Sequence, residues 1–304
     1  MTTLLERVSG LMRTTPHSRL KVRAGRAFGW AATRLGADPI VEVASPRGTF
    51  VVDARSRTDS AMLWNGDYDT DDLDFLIAVT PDDGTFLDIG ANVGMVFIPV
   101  ARALGRDARA IAVEPTPVNH RRLAAAVARN AFAARIRLCE LGLGAKSGVL
   151  TLVKEGPPGV SGNAIPLLAD GGHAESGTDY REVTEVPVRT LDDLVDELAL
   201  TRLDTVKIDV EGFEVDVLRG SARTLQTLRP LIYGEFNNEL MPKRGVSFDD
   251  VWNLLRPLGY RAFSFLGPLR LDPKPNPPAN LGNAVLIPDE KVALVEQAGI
   301  RIER

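Results

Sequence analysis

Apolar positions along the chain follow two rhythms. Short, nearly continuous apolar runs at Thr85–Ile89, Ala108–Val113, Ile136–Cys139 and Pro230–Phe236, and the stretch Thr205–Gly212, predict strands, the first of them buried on both faces. Between them, apolar residues return every three or four positions and predict helices: around Leu73, Leu76 and Ile77, from Pro117 through Leu123 and Val127, and at Leu191, Leu194, Val195 and Leu198. Ser247, with Asp250 closing a capping box, opens another helix carrying Val251, Trp252 and Leu255. This alternation predicts an α/β fold on a parallel sheet. Two further helices precede it, one through Leu4, Leu5, Val8, Leu11 and Met12 and one through Phe28, Ala31, Ala32 and Leu35. Residues 40–53 predict a β-hairpin around Pro46, Arg47 and Gly48. Val149–Val153, Tyr260–Phe265 and Asn283–Ile287 predict further strands, and a proline-rich loop fills Gly267 to Gly282. From Lys154 to Glu182, glycines at 156, 159, 162, 171, 172 and 177 and little periodicity predict a long loop, read as a lid or acceptor-binding loop.

The chemistry gathers where strands end. Asp88 closes the first buried strand, and Gly90 and Gly94 punctuate the turn that follows, a place where open α/β sheets bind ligands. A dinucleotide loop would read G-x-G-x-x-G, whereas Gly90, Asn92 and Met95 occupy those positions, so the pyrophosphate fingerprint is missing. Glu114 ends the second strand, where an acid can accept both ribose hydroxyls. A glycine turn without phosphate spacing, followed by a ribose acid, suits a nucleoside lacking phosphate, such as S-adenosylmethionine. Two more strands deliver Asp209 with Glu211, and then Glu235 with Asn237 and Asn238, to the same edge. Asp209 and Glu211 stand two residues apart, so a regular strand would point both to one side, and two close carboxylates raise the pKa of one of them. Either suits a general base, Glu211 slightly ahead because Gly212 frees its backbone, with a cofactor-binding or structural role as the alternative. His17 and His120 fall on predicted helices away from that edge, and His173 lies in the long loop. Asp209, Glu235 and Asn237 could gather a divalent cation, but such sites leave no sharp spacing signature and no metal is expected.

Composition narrows the class. At 304 residues and 44% hydrophobic content the chain can bury one large core plus an accessory segment. It lacks an apolar run long enough to span a bilayer and a signal-peptide pattern, and Cys139 is its only cysteine, so a cytoplasmic setting is expected. Cys139, in a strand, reads as an inert core residue. The net charge of −4 is uneven: residues 1–34 hold seven Lys/Arg against Glu6, which makes that arm +6 and the remainder −10. Nucleic acid is not expected as a partner. The arm reads either as a foot for an anionic membrane surface or the acceptor, or as accessory helices with solvated arginines; the second is favoured, with weak peripheral membrane contact left open.

Over about residues 64–240 the chain resembles the FkbM family of S-adenosylmethionine-dependent methyltransferases. The resemblance rests on Asp-Ile-Gly-Ala-Asn-Val-Gly at 88–94, Val-Glu-Pro at 113–115 with Asn130 beyond, Thr-Leu-Asp-Asp at 190–193, Lys-Ile-Asp-Val-Glu-Gly-Phe-Glu at 207–214, Val-Leu-Arg-Gly at 217–220 and Glu235. It implies a Rossmann-like seven-stranded sheet with a reversed final strand, a methyltransferase domain over 64–304 and accessory helices with a hairpin over 1–63. It also implies O-methylation of a hydroxyl on a sugar, glycolipid or polyketide-type acceptor. Carried over by motif, Asp88, Gly90, Asn92 and Gly94 would hold the methionine part of the cofactor, Glu114 the ribose, and Tyr68 would complete the cofactor site. Asp209, Glu211 and Glu235 would form the catalytic edge. The rivals are a nicotinamide-dependent oxidoreductase, disfavoured by the missing fingerprint, and a non-catalytic cofactor-binding or scaffold protein.

Overall fold

The computed structural model describes residues 3–68, 70–155, 159–166, 181–236, 240–267, 269–273 and 283–303. Strands run, in chain order, β1 (Ile40–Ser45), β2 (Gly48–Asp53), β3 (Thr85–Ile89), β4 (Arg109–Val113), β5 (Arg135–Cys139), β6 (Gly142–Leu143), β7 (Gly148–Glu155) and β8 (Ala164–Pro166). They continue as β9 (Arg181–Arg189), β10 (Thr205–Ile208), β11 (Leu231–Glu235), β12 (Tyr260–Phe265), β13 (Arg270–Pro273), β14 (Asn283–Pro288) and β15 (Arg301–Ile302).

The main sheet is nine-stranded in the order β15-β13-β12-β14-β11-β10-β3-β4-β5. Strands β5, β4, β3, β10 and β11 are parallel, and β14 runs against both β11 and β12. The seven strands from β5 to β12, with the last of them in sequence reversed, are the Rossmann-like arrangement expected, but two short edge strands, β13 and β15, extend the count to nine. Thr85–Ile89 and Thr205–Ile208 are buried at every position, as strands covered on both faces must be. Alternate side chains feed two cores. Phe86, Ala110, Ala112 and Tyr233 join the helices Ser60–Asn65, Thr70–Val79 and Phe97–Ala103 on one face. Leu87, Ile111, Val113, Val206 and Ile232 join Leu191–Glu197, Glu214–Arg219 and Phe248–Leu255 on the other.

The N-terminal segment adds the helices Leu4–Arg13 and Arg19–Arg34 and the β1–β2 hairpin, whose Val41, Val43, Phe50 and Val52 enter the first of those cores. Asn130 fastens the hairpin: its amide accepts from the Thr49 N–H at 2.9 Å and donates to the Thr49 carbonyl at 2.7 Å.

The stretch 154–182 departs from the expected loop. Lys154 and Glu155 end β7, Arg181 and Glu182 begin β9, and β8 pairs with β7, so a four-stranded sheet, β6-β9-β7-β8, stands beside the main one. Alternation is hard to read there because both faces carry mixed residues and the glycines interrupt it. The rest of the loop reading, residues 167–180 with His173, lies outside the described residues, as do Asn237 and Asn238. Among the described residues no helix is long and apolar enough to cross a membrane.

Candidate active site

The site forms where β3 is flanked by β4 on one side and β10 on the other. There the chain leaves the sheet through three adjacent turns, the switch point at which doubly wound sheets bind ligands. The turns are stitched together: Gly90 N–H and Ala91 N–H both donate to the Val113 carbonyl, at 2.9 and 3.0 Å, and Asp209 N–H donates to the Ile89 carbonyl at 3.0 Å. Gly90, Asn92 and Gly94 all hold positive φ, 82°, 51° and 92°. The fold itself requires both glycines. A Cβ on Gly90 would stand 1.8 Å from the Asp209 carbonyl oxygen, and one on Gly94 would meet Leu123 at 2.7 Å.

The cleft has two chambers. The first is lined by Ile89, Val113, Leu143, Leu152, Val186 and Phe213, with Glu114 and Asn119 supplying polar groups, and encloses about 80 Å³. Glu114 is 4% exposed; it accepts from Asn92 N–H at 2.9 Å, Thr116 N–H at 2.8 Å and Asn119 Nδ2 at 3.4 Å. Burial pushes its carboxyl up and these donors draw it back. Thr116 thus supports Glu114 through its backbone N–H; its side chain makes no helix cap.

The second chamber, about 350 Å³, is bounded by Tyr68, Asp72, Met95, Lys207, Tyr233 and Glu235. Its charge is one-sided: Asp59, Asp72, Asp209, Glu211 and Glu235 line it, with Lys207 as its cation. Lys207 faces Asp88 across the β3–β10 register, and its Nζ lies 3.3 Å from Asp88 Oδ1, 3.3 Å from Asp209 Oδ2 and 3.1 Å from the Gly90 carbonyl. Burial opposes its charge, but Asp209 and Asp88 outweigh it and hold its pKa above the ordinary lysine value. Asp88 is fully buried and lines neither chamber, and no described donor reaches its oxygens at hydrogen-bonding angles. It touches the cleft only through Lys207.

Asp209 and Glu211 do not continue a strand, because β10 ends at Ile208. The chain instead wraps the buried Glu214 carboxylate, whose Oε1 accepts from Val210 N–H at 3.3 Å and Gly212 N–H at 3.0 Å. Glu211 sits in this turn at φ 54°, a strained value for glutamate. It lines both chambers. Its pKa is raised to about 7, first by burial, then by repulsion from Asp209, Glu235 and Glu214, with Lys207 opposing.

Asn163 joins the same point from the segment after β7: its Nδ2 donates to Glu211, and its Oδ1 accepts from Asn92 Nδ2 at 3.3 Å. The segment is anchored by Ser161 Oγ donating to the buried Asp59 at 2.6 Å and by Asn119, which exchanges two hydrogen bonds with Gly162 at 2.9 and 3.2 Å. The sequence reading missed Lys207, Glu214, Asn119 and Asn163 as site residues. Lys207 carries a signal, since it stands two positions before Asp209 on a strand; Asn163 carries none. Cys139 is buried and burial pushes its thiol up, which fits an inert core residue. His17 contacts Asp67 and His120 contacts Glu140, both outside the cleft. Among the described residues no three His, Cys, Asp or Glu side chains stand so as to hold a metal ion.

The fold and site thus define a Rossmann-like sheet with a two-chambered cleft at its switch point. Residues 88–262 match the FkbM methyltransferase domain, and the chain belongs to that family, whose methyl donor is S-adenosylmethionine. The family match sets aside the nicotinamide alternative. Over 165 residues it is 27% identical to methyltransferase sdnD of Sordaria araneosa, a match covering 47% of this chain and 62% of that protein. Over 156 residues it is 28% identical to methyltransferase 1 of Beauveria bassiana, covering 47% and 61%. It is 29% identical over 168 residues to the AMB antimetabolite synthetase AmbE of Pseudomonas aeruginosa, covering 47% of this chain and 8% of AmbE. The matched stretch thus spans less than two thirds of each relative. The solved FkbM methyltransferase of Methylobacillus flagellatus is 17% identical, with a TM-score of 0.42 over 67% of this chain and 44% of that one.

Proposed function

We propose that the protein transfers a methyl group from S-adenosylmethionine to a hydroxyl of a small acceptor, a sugar, glycolipid or polyketide-type molecule, with Glu211 as general base. The observation that carries this reading is the position of Glu211 at the junction of the two chambers, lining the smaller, largely apolar cavity on one side and the larger polar chamber on the other. The first chamber suits the adenosine: an apolar slot for the base, and at its end a carboxylate that retains acceptor capacity for the ribose diol. Gly90, Asn92 and Gly94 would turn the chain around the methionine part, with the buried, unpartnered Oδ1 of Asn92 available to a donor. Asp88 would act at one remove, by holding Lys207, and Tyr68 would bound the cleft on its far side.

Bound cofactor supplies an activated, cationic methyl, which the acid-rich lining favours electrostatically. Glu211 takes the acceptor's hydroxyl proton as its oxygen attacks, a role that suits a carboxyl titrating near neutrality. Asp209, tied to Lys207, and Glu235, at the open end of β11, would orient the acceptor. A chamber in which the described residues set five carboxylates around one committed lysine favours neutral hydroxyl acceptors over phosphorylated or carboxylated ones. Incubating enzyme and cofactor with sugar, glycolipid and polyketide extracts and reading a methyl-sized mass gain tests this. Gain confined to anionic acceptors, or tighter binding of NAD than of adenosylhomocysteine in a thermal-shift assay, overturns it.

A further inference from the structure

The helix Arg19–Arg34 is built the wrong way round for a solvated accessory helix. Its inward face is small: a Cβ on Gly25 would stand 2.3 Å from the Trp64 ring, and one on Gly29 2.4 Å from the Ala54 carbonyl oxygen, so the helix lies tight on the body. Its outward face is apolar. Leu20, Ala24, Ala27, Ala31 and Leu35 recur at intervals of three and four and form one exposed stripe, with Leu20 at 77% and Leu35 at 89% exposure. Leu4 and Leu11, at 58% and 71%, stand exposed on the preceding helix Leu4–Arg13, which packs beside it.

The charges on the helix itself have one sign. No acid occurs between Arg19 and Arg34, while the guanidinium groups of Arg19, Arg23, Arg26 and Arg34, with that of Arg7 on the first helix, make no hydrogen bond or ion pair with a described residue. Residues 1–34 carry +6 against −10 for the rest. An anionic surface would therefore attract this face and repel the others.

We propose that this face docks the protein on an anionic lipid bilayer, the leucine–alanine stripe entering the headgroup region and the arginines meeting lipid phosphates. A convex helix with apolar side chains along its crest and cations on its flank matches that interface. A second copy is a poorer occupant, since a two-fold contact would set arginine against arginine. Nucleic acid gains nothing from leucine, and the helix's aromatic residues are engaged inward, Phe28 against Trp64 and Trp30 beneath Arg55. Docking would also bring the cleft near the bilayer, because the underlying helix Ser60–Asn65 directly follows Thr58 and Asp59, two residues of the larger chamber. The proposal stands on this surface alone and does not need the methyl-transfer reading.

The test is flotation of the full chain with vesicles of phosphatidylcholine alone or with one third phosphatidylglycerol. Binding is expected only to the anionic vesicles, and raising salt to roughly 1 M, where the Debye length is about 3 Å, should abolish most of it. Leu20→Glu with Leu35→Glu, both at exposed positions, should weaken binding by about tenfold or more, and Arg19→Glu with Arg23→Glu to a similar degree. Unchanged melting temperatures would show that the variants fold. Equal binding to both vesicle types overturns the proposal. So does retention of vesicle binding in the leucine variant with loss in the arginine variant and competition by RNA, the mark of a general polyanion site. A dimer in light scattering that the leucine variant dissociates, without vesicle binding by the wild type, assigns the face to a second copy instead.

Discussion

The two chambers open from one sheet edge, and burial pushes a carboxyl upward in each, yet the neighbours of those carboxyls differ. Glu114 is enclosed and receives three protein donors, which fix its orientation before any ligand arrives and counter part of the upward push of burial on its carboxyl. Glu211 faces Asp209, Glu235 and Glu214, receives an amide from Asn163, and is held near neutrality in its titration. Preorganised binding calls for the first arrangement, since a ligand then meets groups that need not move. Proton transfer calls for the second, since a base must be poised close to the ambient pH. The same residue type serves either purpose, and the donors around it decide which.

Glu211→Gln should break this contrast most. Turnover should fall about a hundredfold or more while affinity for adenosylhomocysteine holds. If affinity collapses and turnover at saturating cofactor survives, Glu211 is a binding residue and the base is to be sought at Asp209, Glu235 or His173. The wild-type rate should rise with pH up to about 7 and then level, because the base works deprotonated, and the glutamine variant should lose that rise. A rate flat from pH 5.5 to 8.5 in the wild type would contradict a titrating base.

Glu114→Ala comes next. It removes charge-assisted hydrogen bonds worth about 1.5–3 kcal/mol, so calorimetry with adenosylhomocysteine should show one to two decades, roughly, of lost affinity. Unchanged affinity would detach Glu114 from the ribose.

Glu214 sharpens the comparison from the structural side. Its pKa is raised to about 7, chiefly by burial, so the folded state holds the proton more tightly than the unfolded chain. The resulting penalty is absent below about pH 4.5 and complete above about 7. Glu214→Gln keeps the Oε1 acceptor but not the charge. Its stability relative to wild type, by denaturant unfolding, should therefore improve between pH 5 and 8, on the order of 1–2 kcal/mol. An unchanging difference across that window would mean that Glu214 is not proton-coupled.

Asn163→Ala should have the smallest effect. It deletes two hydrogen bonds at the junction, each worth about 0.5–1.5 kcal/mol net, so KM for the cofactor should rise by no more than about tenfold. Losing the amide donor to Glu211 should also shift the rate midpoint to higher pH. A midpoint that stays put would mean that Asn163 only braces the loop.

Much of the architecture could be read locally. Buried strands announce themselves as short apolar runs, and Ser247 with Asp250 forms the capping box its spacing implies. The hairpin at 40–53 follows from its turn residues, and the adjacent endings of β3, β4 and β10 follow from parallel topology once those strands are granted. The edge strands β13 and β15 were less legible, being short and flanked by a proline-rich stretch. Asp209 and Glu211 share a side as expected, lining the same two chambers, but not because a regular strand carries them; the turn around Glu214 ends β10 at Ile208.

By itself, then, the sequence determined which residue types arrive at which strand end, because periodicity and turn chemistry act over a few neighbours. Tertiary structure decided what those residues do there. Asp88 is hidden behind Lys207 by a register between strands more than a hundred residues apart, and Asn163 reaches Glu211 from a segment whose own sequence has no rhythm. It also decided that the arginines between Arg19 and Arg34 flank an exposed leucine stripe, because Gly25 and Gly29 turn the small face inward. Such pairings depend on the summed packing of the whole core, and no local pattern carries that sum.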